Sequence, residues 1–288
     1  MKIRMIASAA LMVLFGGSAI AADLPVKAPP PAVCPTCNWT GFYVGLNVGG
    51  SIGQDYTSNA VSLLPPGGAA GVTNPISNVT DTRSPSGLIG GGQIGFNWQF
   101  NHWLVGVEAD FDWSGQRNYL SATNFLASTV VVAPTTYSYS DEQRVNWLTT
   151  WRGRVGWTQD CWLWYVTGGG AWAEVQSNYS LSMNSITGGA GPFGTVNAAA
   201  GFTTRRTGWT VGGGVETKLS GIGGAAFNNW SFKAEYLYVD LGNVNNLFVA
   251  PVTAGAPTSM VLANSTTFHD HIVRVGVNYS FGGWAPGR

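Results

Sequence analysis

Residues 103–113 read WLVGVEADFDW, and this stretch decides the fold. Tryptophan stands at both ends. Between them, apolar or small residues occupy the odd positions, while Glu108, Asp110 and Asp112 occupy even ones. A period of two is typical of a β-strand with one apolar and one polar face. Ten residues at about 3.3 Å each, tilted by about 40°, rise about 25 Å, the apolar height of a transmembrane β-barrel. The stretch therefore predicts a strand that crosses a membrane.

Three tryptophan pairs share this ten-residue separation. They are Trp103/Trp113, Trp147/Trp157 and Trp162/Trp172. Transmembrane barrels carry a girdle of aromatic residues at each membrane surface, whereas a soluble β-sandwich has no reason to place tryptophan at both ends of a strand. The pairs therefore predict that all six side chains point outward, in two rings separated by the hydrocarbon thickness.

Eight segments of the chain alternate in this way. They span 39–51, 86–100, 103–114, 144–157, 161–173, 208–219, 230–241 and 268–281. Short links follow the even-numbered segments, and long links follow the odd-numbered ones, at 52–85, 115–143, 174–207 and 242–267. Short periplasmic turns and long extracellular loops are typical of bacterial barrels. We therefore predict an all-β fold, an eight-stranded antiparallel transmembrane β-barrel of up-and-down topology, with both termini in the periplasm and parts of the long links extending strands above the membrane.

The start of the chain carries an export signal. Lys2 and Arg4 precede an apolar stretch of about 11 residues, and Ala19-Ile20-Ala21 forms an A-x-A cleavage site. The apolar stretch is too short for a spanning helix, which needs about 20 residues. The prediction is a signal peptide at 1–21, a Pro-rich periplasmic tail at 22–38 without regular structure, and the barrel at 39–288.

Composition limits the function classes. The 288 residues include 40 Gly and 13 Trp, only 10% are charged, and the formal net charge is zero. Low charge argues against nucleic-acid binding, which needs a basic patch. A mean hydropathy of +0.09 is low for a helical membrane protein. It fits a barrel, in which lipid-facing residues alternate with polar lumen-facing ones.

Three cysteines remain, at Cys34, Cys37 and Cys161. The spacing of Cys34 and Cys37 matches a redox motif or half a zinc site, but the chain offers neither a βαβ context nor a second ligand pair. In an oxidising periplasm, the spacing favours a small local disulfide in the tail, or incidental thiols. Cys161 is then unpaired in a short turn.

Most charged residues of the strands fall on the lumen face. They are Glu108, Asp110, Asp112, Arg144, Arg152, Arg154, Glu216, Lys218, Lys233, Glu235 and Arg274. The interior of an eight-stranded barrel is just wide enough for side chains to fill, so these charges should interlock as ion pairs. An ion selectivity filter is the functional alternative. An acid/base pair of a hydrolase is a third reading, but no nucleophile or cleft signature accompanies it.

Two other patterns resemble known sites. His269 and His271 share one face near the end of the last strand, where they could hold a metal or haem, but the pattern offers no third ligand. The glycine runs at 90–92, 168–170 and 212–214 lie inside strands without a following Lys-Ser/Thr, so they are not phosphate loops. Glycine there relieves crowding in a small barrel. We therefore assign no catalytic, cofactor-binding or metal-binding residue.

Several segments resemble one family. They are Trp39-Thr40-Gly41-Phe42-Tyr43-Val44-Gly45, Gly106-Val107-Glu108-Ala109-Asp110, Arg152-Gly153-Arg154-Val155-Gly156 and Lys233-Ala234-Glu235-Tyr236-Leu237-Tyr238. With the Ala22-Asp23-Leu24-Pro25 junction and the Pro-rich tail, they resemble the porin-like outer-membrane surface antigens of alphaproteobacteria, which have an OmpA-like β-barrel domain. The closing Arg274-x-Gly276-x-x-Tyr279-x-Phe281 resembles the strand signal read by the barrel assembly machinery, although seven residues follow it here.

The resemblance and the strand pattern agree on location and role. We expect a non-enzymatic protein of the cell outer membrane with a structural or surface-exposed role. The expected partners are outer-membrane lipid and lipopolysaccharide, and the barrel assembly machinery during biogenesis. A narrow porin-like channel and a haem or ligand receptor acting through the long loops are the alternatives. The sequence leaves the oligomeric state open.

Overall fold

The computed structural model describes residues 37–53, 55–64, 74–126, 135–188, 191–220, 227–251 and 259–281. The predicted signal peptide, the tail up to residue 36 (with Cys34) and the last seven residues lie outside this set. Cys37 and Asn38, the end of the predicted tail, have no regular secondary structure, as expected. No helix in these ranges is long and apolar enough to cross a membrane.

Eleven antiparallel strands form the described structure. They are β1 (Gly41–Gly53), β2 (Asp55–Leu64), β3 (Asn74–Arg83), β4 (Ser86–Phe100), β5 (Trp103–Ser114), β6 (Arg117–Leu126), β7 (Thr135–Gln159), β8 (Trp162–Gly188), β9 (Gly191–Lys218), β10 (Trp230–Pro251) and β11 (Ser259–Ser280). Eight of them pair in the closed order β1-β4-β5-β7-β8-β9-β10-β11, and β11 pairs back onto β1. The predicted eight-stranded antiparallel barrel is therefore confirmed.

The long links contain more strand than the sequence predicted. The link at 52–85 holds β2 and β3, and the link at 115–143 holds β6 and the start of β7. β7 to β11 continue far past the predicted ends, so that β8 and β9 pair as far as Gly188 and Gly191. The expectation that parts of the long links extend strands is confirmed, and it holds for more of each link than predicted, because the outward faces of these strands are rich in Ser, Thr and Asn and lack the apolar band of a membrane-crossing strand.

The faces of the ring strands follow the predicted alternation. Of the six tryptophans, Trp103, Trp113, Trp157, Trp162 and Trp172 are exposed, as lipid-facing side chains of an isolated barrel must be. Trp147 is half-buried beside Phe111 and lies opposite Trp113 in the β5–β7 ladder. Trp103 lies opposite Trp157 at the other end of the same ladder. The two aromatic rings are therefore confirmed.

A β-bulge in β7 changes one predicted face. Between Val145 and Trp147 the pairing with β8 shifts by one residue, so the extra residue Asn146 has no partner of its own. A bulge breaks the period of two. Val145 points into the barrel, and Arg144 lies half-buried on the outer side with Glu142. The prediction that Arg144 faces the lumen was wrong for this reason.

One disulfide joins the end of the tail to the barrel. Cys37 is bonded to Cys161, which lies in the short turn between β7 and β8. The prediction of a local Cys34–Cys37 bridge with a free Cys161 was therefore wrong. The chain before β1 runs back across the short-turn end of the ring, where Trp39 is buried, and this brings Cys37 to the turn. Sequence spacing carries no information about such an approach.

Candidate functional site

The lumen of the ring is the candidate functional site, because it gathers the charged residues of five strands. β5 contributes three carboxylates, β7 two arginines, and β9, β10 and β11 the remainder. The inward side chains are Glu108, Asp110, Asp112, Arg152, Arg154, Glu216, Lys218, Lys233, Glu235 and Arg274, all buried. Five of these are acidic and five basic, and two further acidic side chains, Asp141 on β7 and Asp270 on β11, are buried nearer the long hairpins. Apart from Arg144, the predicted lumen charges are confirmed.

Arg152 is the centre of the network. It lies opposite Glu108 in the β5–β7 ladder, and its guanidinium contacts that carboxylate directly. The same group is 2.6 Å from Oδ2 of Asp110 and 2.9 Å from Oε1 of Glu235 on β10. The sequence prediction that β5 carboxylates meet β7 arginines is confirmed. The contact with Glu235 adds a partner from the other side of the barrel.

Arg274 of β11 closes a second set of contacts. Its guanidinium nitrogens are 2.7 Å from Asp112 Oδ2, 2.9 Å from Asp110 Oδ2 and 2.7 Å from Glu235 Oε2. Charge-assisted bonds of this length are the strong class of hydrogen bond. Arg152 and Arg274 thus share Asp110 and Glu235, so the four side chains form one connected unit.

Lys233 spans the lumen. β5 and β10 are four positions apart in the ring of eight, so they lie on opposite sides. Nζ of Lys233 on β10 is nevertheless 3.1 Å from both carboxylate oxygens of Glu108 on β5. Tyr43 donates a hydrogen bond of 2.7 Å to the same carboxylate from β1. Side chains therefore cross the whole width of the barrel at this level.

Arg154 extends the network toward the short-turn end. Its guanidinium stacks on the rings of Tyr43 and Tyr165, at 4.8 and 5.2 Å. It donates a 2.8 Å hydrogen bond to Asn97 and lies 3.4 Å from Glu216. Arginine suits this position because its planar group can stack and form an ion pair at once.

Apolar side chains close the lumen above and below the charges. A buried cluster on the long-hairpin side contains Ile89, Val145, Leu148, Ala171, Ala173, Val175, Leu237, Val239, Leu241, Phe268 and Ile272. A second cluster, at the short-turn end, contains Trp39, Leu104, Leu163 and Tyr165. The ammonium group of Lys218 lies 4.7 Å from the ring of Trp39. The lumen is thus filled in three layers.

Sequence reasoning missed these apolar layers. It treated the inward face as polar throughout, although Leu148 has the parity of Arg152, and Leu237 and Val239 have the parity of Glu235. That shared parity was an available signal. An apolar residue in register with buried charges indicates a packed interior rather than a water-filled channel.

The two histidines of the last strand contact separate neighbours. His269 and His271 lie half-buried on the outer face at the upper rim. His269 Nε2 is 3.5 Å from Asp240 Oδ2, and a ring nitrogen of His271 is 2.7 Å from the hydroxyl of Tyr236. Each imidazole thus has its own neighbour on β10. Across the described ranges, no group of three or more His, Cys, Asp or Glu residues is arranged to hold a metal.

Comparison with known proteins agrees with this architecture. The model of the outer membrane protein beta-barrel domain family matches residues 7–281. The chain belongs to this family. It is 32% identical to the 31 kDa outer-membrane immunogenic protein of Brucella melitensis over 95% of this chain and 98% of that one. It is 26% identical to the 25 kDa outer-membrane immunogenic protein of Brucella abortus, over 98% of this chain and 99% of that one.

Two solved structures are also similar. Ail, the attachment invasion locus protein of Yersinia pestis, matches at 10% identity and a TM-score of 0.27, over 80% of this chain and 99% of that one. Neisserial surface protein A matches at 13% identity and a TM-score of 0.30, over 84% of this chain and 98% of that one. The family and its relatives place this outer-membrane barrel protein in the cell outer membrane, and a structural or surface role fits them.

Proposed function

We propose that this family member is a non-conducting, non-enzymatic barrel that anchors an extracellular β-structure in the outer membrane. The contact of Lys233 with Glu108 across the full width of the lumen carries this proposal. A selectivity filter lines a pore with charges that face water, whereas these charges are paired with each other and buried between apolar layers. The same burial keeps the five carboxylates of this network away from a substrate that would need them for acid/base chemistry.

Planar-bilayer recording on the refolded full chain tests the closed lumen. The expected result is no steady conductance above the lipid baseline. The double variant Lys233→Ala/Glu108→Ala removes both ends of the crossing pair but leaves the apolar layers above and below in place, so it should also carry no steady current. Val155→Ala, on the lipid face, is the matched control and should stay silent. Steady single-channel steps from the unaltered protein would contradict the proposal.

The proposed orientation places the long hairpins outside the cell and the tail in the periplasm. The disulfide of Cys37 supports this, because it holds the tail at the short-turn end. Protease added to intact cells should cut the long hairpins and spare residues 23–38. Cleavage of the tail from outside would show that the topology is inverted.

The partners follow from this placement. The outward apolar face between the tryptophan rings would contact outer-membrane lipid, and the rim above it would contact lipopolysaccharide. The closing strand β11 ends at Ser280, and Phe281 follows it directly, so Tyr279 to Phe281 form the segment that resembles an assembly signal. Insertion by the barrel assembly machinery is therefore the proposed route, and deletion of residues 279–281 should abolish insertion in cells. Normal insertion of that deletion would argue against the signal.

A further inference from the structure

Basic side chains lie on the outer surface just above the upper tryptophan ring. β5 and then β6 pair with successive parts of β7. The cross-strand pair Trp113/Trp147 of the β5–β7 ladder is therefore followed upward by the cross-strand pair Arg117/Arg144 of the β6–β7 ladder. The three residues from Trp147 to Arg144 correspond to about 10 Å along a strand. Interfacial tryptophans mark the headgroup level of a membrane. Both arginines therefore lie at headgroup level on the long-hairpin side, which is the outer leaflet in the proposed orientation.

The bulge at Asn146 is what brings Arg144 to this surface. Without the extra residue, Arg144 would have the inward parity of Arg152. With it, Arg144 lies opposite Arg117, which is exposed. Like charges directly opposite each other across an antiparallel ladder are destabilising. An anion between them would remove that repulsion.

The neighbouring acids neutralise only part of this charge. Arg144 donates from Nε to Glu142 Oε1 at 2.8 Å, and this hydrogen bond lowers the pKa of the Glu142 carboxyl. On β9, Arg205 is 3.6 Å from Glu174, with 81% of its side chain exposed. Arg117 is exposed, and its charge also acts on the Glu142 carboxyl, which Arg144 already holds. Three arginines thus share two glutamates, so the group keeps one net positive charge.

We propose that Arg117, Arg144 and Arg205, the arginine rim, bind a phosphate group on the headgroup of an outer-leaflet glycolipid. The planar guanidinium fork matches phosphate oxygens in a bidentate manner. Arg117 makes the first contact, and Arg144 shares the same phosphate from the opposite strand. Arg205 lies two strands further along the same face and steadies the sugar headgroup or a second phosphate. The inference rests on the proposed orientation, with the long hairpins outside.

Native mass spectrometry of the refolded full chain in non-ionic detergent tests this site. The probes are bisphosphorylated lipid A and the same lipid with its phosphates removed. The unaltered barrel should bind the phosphorylated form at least ten-fold more tightly, about 1.4 kcal/mol. The double variant Arg117→Gln/Arg144→Gln should lose this preference. Arg206→Gln, an equal charge change on the inner side of β9, where Arg206 bonds to Asn243 O, should keep it.

Folding is checked separately, by the gel-mobility shift of the unheated barrel, so a misfolded variant is replaced by the single change Arg117→Gln. Equal binding of the two lipids, or an unchanged preference in the folded variant, would overturn the inference. Displacement of lipid A by inorganic phosphate at equal concentration would assign the site to a free anion and overturn the lipid assignment. None of these results depends on conductance. Cleavage of the tail by protease added outside the cell would disprove the proposed orientation in a separate experiment.

Discussion

The ring inside the membrane and the strands above it are both built from antiparallel ladders. The ring is closed and has no free sheet edge, whereas the strands above it form sheets with open edges. In the ring, every strand pairs on both sides. Above the upper tryptophans, β10 stops pairing with β9 at Asp240 and Trp209. From there, β6-β7-β8-β9 and β10-β11-β2-β3 continue as two four-stranded sheets. Side-chain contacts such as Gln143 to Thr266, at 3.4 Å, connect the two sheets.

This difference follows from the solvent. Hydrocarbon offers no partner for a backbone N–H or C=O, so a sheet in the membrane must close. Above the membrane, water satisfies an open edge. The transition is marked by two bulges, at Asn146 in β7 and between Asp240 and Gly242 in β10, where Gly242 has a φ of 71°. A backbone position with a positive φ favours glycine. The bulges turn the strands as they leave the closed ring.

The largest expected effect is on the ring. Arg152→Ala should lower the free energy of unfolding by about 3–5 kcal/mol, because it leaves buried carboxylates without their cation. Val155→Ala, on the lipid face of the same strand, should cost far less. The double change with Glu108→Ala should recover part of the loss. Urea unfolding in lipid vesicles measures all three. Unchanged stability with raised conductance for Arg152→Ala would instead describe an open pore.

The disulfide gives the next largest effect. Cys161→Ser should lower the free energy of unfolding by about 2–4 kcal/mol, because it removes the bridge that closes a long loop. Cys34→Ser is the matched control and should leave stability unchanged. Peptide mapping without reduction should find Cys37 linked to Cys161. A Cys34–Cys37 peptide would contradict the structure.

A smaller effect separates two neighbouring glycines of β8. A Cβ at Gly169, on the inner side, would lie 1.8 Å from the carbonyl oxygen of Trp151, whereas a Cβ at Gly168 would meet nothing nearer than 3.5 Å. Gly169→Ala should therefore destabilise the ring by about 1–3 kcal/mol, as overpacking does. Gly168→Ala should stay within about 0.5 kcal/mol of the unaltered protein. Equal costs for the two changes would argue against the close approach of β7 and β8.

The same comparison explains what the sequence could predict. The ring strands have a period of two bounded by aromatic residues, so their number, faces and charge pairing were predictable from residues such as Trp103, Glu108 and Arg152. The outward direction of Arg144 was not predictable, because a single inserted residue in the strand reverses which face the following side chains point to, without altering the composition. The partner of Cys37 depends on how the tail crosses the short-turn end, which no local pattern records. The upper strands bury side chains such as Leu181 on their inner face but have no outward apolar band, since no lipid surrounds them, and so they resemble loops in sequence.

The smallest expected effect on the ring comes from shortening the extension. Replacing residues 177–202 by a two-residue Asn-Gly turn would join Gln176 to Thr203, which already face each other in the β8–β9 ladder. Because the closed ring begins below this point, where β9 pairs with β10 from Trp209 onward, the ring should still insert and show an unchanged gel-mobility shift. Deleting residues 109 and 110 of β5 is the matched control. It keeps the parity but shortens a membrane-crossing strand, so it should prevent folding. If the shortened hairpin also failed to fold, the two sheets above the membrane would be part of the folding unit, and the division between ring and extension would not hold.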